Sequence, residues 1–115
     1  MSATELTTLY PLIDAWRGAG HGVALATVVS VAGSAPRPVG ATMAVSSGGD
    51  LAGSVSGGCV ETAVFEEAQE VLRTRVPKLV HYGISDEMAW DVGLACGGAI
   101  DVFIEPIDAV VPANQ

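Results

Sequence analysis

LAGSVSGGCVETAVFEEAQEVLRTR, residues 51–75, changes its periodicity partway along. LAGSV at 51–55 reads as a strand. With the apolar stretch at 41–46 it flanks Gly48, Gly49 and Asp50, which predicts a hairpin. From residue 59 to 75 the spacing becomes helical: Val60, Ala63, Val64, Ala68 and Val71 share one face, and Glu66, Glu67 and Glu70 point away. Arg73 and Arg75 fall in the last turn, where cations suit the helix dipole, and Pro77 stops the helix. Between strand and helix stand two adjacent glycines and a cysteine.

Upstream, Leu6, Leu9, Ile13 and Trp16 recur at spacings of three and four and mark an amphipathic helix. Pro11 should kink it or move its start to near Tyr10, and Gly18, Gly20 and Gly22 should end it. GVALATVVSV at 22–31 reads as a strand buried on both faces, and AGSAPRPVGA at 32–41 as an ordered loop. Downstream, LVHYG at 79–83 is a short strand, and 85–98 is loop with at most one helical turn. AIDVFIEP at 99–106 alternates Ile100, Val102 and Ile104 with Asp101, Phe103 and Glu105, a strand with one half-exposed face. The last eight residues read as a frayed tail. The order α-β-β-β-α-β-β predicts one α+β domain over residues 1–115, with α/β as the alternative. It implies a mixed sheet of about five strands flanked by two main helices.

Half of the 115 residues are hydrophobic, enough for a core without disulfide staples. Thirteen acidic residues against five basic ones give a net charge of −8. Such a surface repels nucleic-acid phosphates and anionic membranes, which sets both aside as partners. The longest apolar run, 23–29, is broken by Thr27 and is far too short to span a bilayer. No basic-then-apolar leader opens the chain, and two cysteines are not a disulfide framework, so a reduced, cytoplasmic setting is expected.

Those two cysteines each adjoin a glycine pair: Gly57 and Gly58 precede Cys59, and Gly97 and Gly98 follow Cys96. At a helix start the first N–H groups lack intrahelical partners, so the 57–59 turn is a candidate anion cradle. A thiol there has its thiolate stabilised, whereas Glu61 opposes a second negative charge nearby. Glu61, near the third helical position, could also cap the loop. The P-loop reading fails because Cys59 and Val60 stand where lysine and serine or threonine are needed. The serines at 54 and 56 lack the glycines of a nucleophile elbow. Cys59, Cys96, His21 and His81 lack zinc-finger spacing, so no metal site is assigned. Arg37, held between two prolines, can grip a phosphate or carboxylate through paired hydrogen bonds. Asp86 and Glu87 read better as turn caps than as acid–base groups. His81 and Trp90 read better as packing residues.

GSAPRPVGATMAV, GSVSGGCVE, YGISDE and GLACGGAIDVFIEP, in this order, resemble the XdhC/CoxI family of accessory factors for molybdenum hydroxylases. The likeness runs from about residue 26 to 106. It implies a non-catalytic, chaperone-like protein that transiently binds the molybdenum cofactor, molybdopterin. Such a protein protects the cofactor during sulfuration and delivers it to a xanthine, aldehyde or carbon monoxide dehydrogenase apoenzyme. A cysteine desulfurase and a second copy of the chain are the further partners implied. The family's motif positions fall on Gly33, Ser34, Pro36, Arg37 and Gly40, then Ser56, Gly57, Gly58, Cys59 and Glu61, then Cys96, Gly97 and Gly98. Cys59, Glu61 and Cys96 become the reactive candidates, thiolates for soft ligands or a persulfide and a carboxylate for protons. Longer relatives continue into a Rossmann-type domain, which is not expected after Pro106. Two other functions fit the residues alone: a thiol-redox or small-anion enzyme using Cys59, and an interaction module without a ligand. The cofactor reading requires both cysteine turns and Arg37 to share one solvent-facing pocket.

Overall fold

The computed structural model of the chain describes residues 2–33, 37–58, 60–83 and 98–107, with side chains from residue 7 onward. In chain order the elements are α1 (Ser2–Gly18), β1 (Val23–Ala32), β2 (Thr42–Ser46), β3 (Leu51–Gly53), α2 (Glu61–Thr74), β4 (Lys78–Tyr82) and β5 (Ala99–Pro106). The strands form one sheet in the order β3-β2-β1-β5-β4. This is the α+β arrangement expected, with five strands and two helices among the described residues.

The sheet is antiparallel throughout rather than mixed. Hairpins join β1 to β2 and β2 to β3. α2 then carries the chain across the sheet to the far edge, where β4 runs in the same direction as β1. The two do not pair, because β5 returns between them: Val28 of β1 faces Val102 of β5, which in turn faces Val80 of β4.

Among the described residues each face carries one helix. Val64, Ala68, Val71 and Leu72 of α2 pack on Ala24, Ala26 and Val28, on Met43 and Val45, and on Ile100, Val102 and Ile104. At about 25 cal/mol per Å² of apolar surface, a fully buried valine or isoleucine here contributes roughly 1.5–3 kcal/mol. On the opposite face Leu9 and Ile13 of α1 pack on Val23 and Ala44, with Trp16, Leu25 and Ala52 partly covered beside them. α1 begins at Ser2 and runs through Pro11 instead of starting near Tyr10. Pro11 lies on its exposed side, while Leu9 and Ile13 on either side of it are buried in the sheet. The helix ends on Gly20, at φ +92, with His21 N–H donating to the Trp16 carbonyl and Gly20 N–H to that of Arg17.

β1 is buried on both faces only as far as Val28. Val29 and Val31 are 46% and 40% exposed. β2 pairs with β1 no further than Thr27, and a bulge shifts the register between Val28 and Ser30, so the outer half of β1 has β5 alone beside it.

α2 also begins later than the hydrophobic spacing indicates, at residue 61 rather than 59. Gly57 (φ +74) and Gly58 (φ +117) lie outside the right-handed helical region, which delays the first turn. Glu61 is therefore the first helical residue and not the third.

Candidate functional site

Antiparallel alternation gathers the motif loops. β1 and β3 run toward one end of the sheet and β2 starts there; β4 ends there and β5 starts there. The described residues that flank segments 33–41, 54–60 and 83–98 therefore all lie at that end. Their roots are staggered. Ala32 faces Ala99, whereas Gly53 faces Met43 and, beyond it, Ala26, so β1 and β5 overhang the root of the 54–60 loop by roughly 20 Å.

Loop 54–60 is fastened from below and from above. Val55 and Val60 are buried in the α2-side core, and Ser56 is fully buried beside them. Gly53, at φ +85, lets β3 turn into the loop; a Cβ there would lie 2.4 Å from the Thr42 carbonyl oxygen. Above, the Glu61 carboxylate gathers five donors. Its Oε2 accepts from Ser54 Oγ at 2.7 Å, Val55 N–H at 3.0 Å and Ser56 N–H at 2.9 Å. Its Oε1 accepts from Ser56 Oγ at 2.6 Å and Gly58 N–H at 2.9 Å. Both serine hydroxyls work twice: Ser54 Oγ also accepts from Gly57 N–H at 2.8 Å, and Ser56 Oγ from Val60 N–H at 2.9 Å. Donor and acceptor roles on one hydroxyl polarise each other.

Burial alone would raise the Glu61 pKa. The hydroxyls of Ser56 and Ser54 and the N–H groups of Ser56 and Val55 outweigh it and hold the carboxyl at about 2 instead of 4.5. Glu61 thus does close back on the loop, and as an anion at neutral pH.

The other predicted residues divide by loop. Gly33 (φ +68) is exposed just past β1, and Arg37 is half-buried between its prolines. Gly40 (φ +98) returns the chain to the sheet, donating its N–H to the Val28 carbonyl and accepting from Thr42 Oγ at 2.9 Å. Ser56, Gly57, Gly58 and Glu61 come together as described, and Gly98 is buried beside the start of β5. Ser34, Pro36, Cys59, Asp86, Glu87, Trp90, Cys96 and Gly97 lie outside the described residues. So does the juxtaposition of the two cysteines.

The loop N–H groups do not match the expectation of free anion donors. Those of Ser56 and Gly58 go to Glu61, and that of Gly57 goes to Ser54. Ser54 is the residue that sequence reasoning passed over; its signal was a second serine two residues before Ser56 and seven before a glutamate. His81 and Asp101 sit opposite each other on β4 and β5, with Nδ1 and Oδ1 2.6 Å apart on the half-exposed face.

Across residues 16–83, most of the sheet together with the 33–41 and 54–60 loops, the chain matches the model of the XdhC and CoxI family. It belongs to that family. It is 38% identical over 94 residues to the molybdenum cofactor insertion chaperone PaoD of Escherichia coli, covering 81% of this chain and 29% of PaoD. Identity to a probable xanthine dehydrogenase subunit of Bacillus subtilis is 35% over 100 residues, 85% of this chain and 30% of the relative. A crystal structure described as a xanthine dehydrogenase, from Bacillus halodurans, superposes with a TM-score of 0.69 at 36% identity, over 85% of this chain and 30% of that one. The chain spans less than a third of the length of each of these XdhC/CoxI-related proteins. Among the described residues no helix is long and apolar enough to cross a membrane, and no group of three or more His, Cys, Asp or Glu could hold a metal ion.

Proposed function

We propose that this chain is a molybdenum-cofactor accessory module that takes part in inserting the cofactor into a molybdenum hydroxylase apoenzyme. What supports this reading is that the three family segments are rooted at one end of the sheet, with the turn before residue 59 braced by Glu61. PaoD, named for molybdenum cofactor insertion, supports it through its shared sequence.

The residues present fit such a cofactor in a particular way. Backbone donors of the 54–58 loop are already spent, so phosphate recognition falls to Arg37, whose planar guanidinium suits it. A Cβ built at Gly58 would meet nothing within 4 Å, so the approach to the backbone beside Cys59 is open. Thiolates at positions 59 and 96 would be soft ligands for molybdenum or carriers of sulfur. The cofactor, when bound, supplies the molybdenum–sulfur chemistry; the chain holds it, orients it and keeps water away. Sulfuration by way of a cysteine desulfurase, and self-association, belong to the same proposal.

Mass spectrometry of the freshly isolated protein tests it. A bound pterin is expected in the native chain and not in Arg37→Ala or Cys59→Ala. No pterin above the level of an unrelated acidic protein, even after incubation with molybdopterin, would sink it.

A further inference from the structure

Two hydroxyls and three backbone N–H groups point at one spot in the 54–58 loop, and a side chain of the same chain fills that spot. This is the donor set of an anion site with its anion built in. Ser56 is fully buried, so without the carboxylate its hydroxyl proton would lose the acceptor that the fold supplies. Gly58 holds a backbone angle, φ +117, that L-residues avoid, and its N–H is tied to Glu61 Oε1. The chain enters residue 59 from that glycine and leaves it into Val60, whose N–H is tied to Ser56 Oγ.

We propose that Glu61 is the positioning residue of this loop: its carboxylate is the resident anion of a five-donor cradle, and it fixes the two neighbours of residue 59, Gly58 directly and Val60 by way of the Ser56 hydroxyl. Both oxygens of Glu61 are occupied by donors of its own loop, and its carboxyl is ionised at neutral pH. It also excludes ligand phosphate from the cradle, so an anionic ligand must be met elsewhere. The inference deepens the cofactor reading by naming what orders its central loop, but the cradle itself stands without any cofactor.

The test empties the cradle and refills it. In a Cys96→Ser background, Glu61→Ala should melt roughly 10 °C lower than the parent, and Cys59 should react several-fold faster with iodoacetamide. Loss of a neighbouring negative charge and of the brace both act in that direction. Sodium formate, compared with chloride at equal ionic strength, should restore the melting temperature saturably and slow the labelling again. Glu66→Ala, which removes one charge from an exposed position of the same helix, should show no response. If Glu61→Ala folds only in formate, the proposal is supported. If it folds in neither, Glu61→Gln replaces it: the cradle is then sterically full, so lower stability and faster labelling without a formate response are expected. Wild-type stability and labelling in the variant that folds, or a Glu61→Ala that ignores formate, would overturn the proposal. No pterin enters this experiment, so a failed rescue leaves the mass-spectrometric result standing, and an absent pterin leaves the rescue standing.

Discussion

Two turns of the chain, at Ser46 and at Ser56, centre on a buried serine and are built differently. In the β2–β3 hairpin Ser46 Oγ accepts from Gly48 N–H at 3.1 Å and Asp50 N–H at 3.2 Å, and the reversal is complete. In the 54–61 loop the serines at 54 and 56 also accept backbone N–H groups, and both then donate onward to a carboxylate that takes three further N–H groups. Neutral hydroxyls suffice to reverse the chain. A charged acceptor with five donors is more than a reversal needs, and it lies in the segment bearing a cysteine and two glycines of left-handed conformation. The hairpin turn joins strands; the other turn holds a position.

Breaking the second brace should therefore cost more than breaking the first. Glu61→Ala is expected to lose about 2–4 kcal/mol in urea unfolding, since hydrogen bonds to a charged group are the stronger kind and their donors are left partly buried. The loss should depend on pH. The folded carboxyl sits at about 2, below its ordinary 4.5, so the unfolded chain takes up the proton first. This support is complete above about pH 4.5 and disappears as pH falls through 2. The stability gap between wild type and Glu61→Gln should accordingly narrow between pH 5 and pH 2. A gap that stays constant over that range would mean the carboxylate is not what holds the loop.

Gly49 and Gly58 sharpen the contrast, because they share a conformation. Both have strongly positive φ, +100 and +117, and a Cβ at either would meet nothing within 4 Å. Alanine at each position should cost roughly 1–2 kcal/mol of backbone strain and no more. Only Gly58→Ala should also change the alkylation rate of Cys59, because only that turn leads into it. Equal alkylation rates in the two variants would erase the distinction drawn between the turns.

Much of this was legible in the sequence. The order of the seven elements, the buried face of α2 and the alternation of β5 all follow from spacing, because a helix face and a strand face each bury every residue on one side. Less legible was anything decided by chain segments far apart. β5 inserts between β1 and β4, which makes the sheet antiparallel, and nothing local to 99–106 announces it. Val29 and Val31 read as core because they are apolar, yet β2 has already ended beside them. At the site, glycines, serines and Glu61 marked the right loop. Their relation was hidden: spacing alone shows neither that the helix starts on Glu61 nor that its carboxylate turns back to fill the cradle the glycines suggested.

Ser46→Ala is the direct counterpart of the Glu61 variants and should cost about 0.5–1.5 kcal/mol, the ordinary loss for a neutral capping hydroxyl. Thermal unfolding of the two side by side measures the difference between the braces. A Ser46→Ala loss equal to that of Glu61→Ala would show that the extra donors add nothing.

The smallest effect should be a gain, at the hairpin end of the sheet. Arg75 closes α2 in the left-handed region, at φ +66, with its N–H on the Val71 carbonyl. Helices usually end this way on glycine, because a Cβ there crowds the following carbonyl. Arg75→Gly relieves that crowding, but it also gives up what the side chain holds, including a 3.4 Å contact from Nη1 to the Leu72 carbonyl, and glycine loses more freedom on folding. The balance should be a gain of roughly 0.5 kcal/mol, read as a rise of a few degrees in melting temperature. At Arg75 the left-handed angle falls on a residue with a Cβ, whereas the positive φ angles at 57 and 58 already fall on glycine and leave no such gain. If Arg75→Gly destabilises the fold, its side chain does more at this end than close a helix, and the hairpin end is not the plain partner in the comparison.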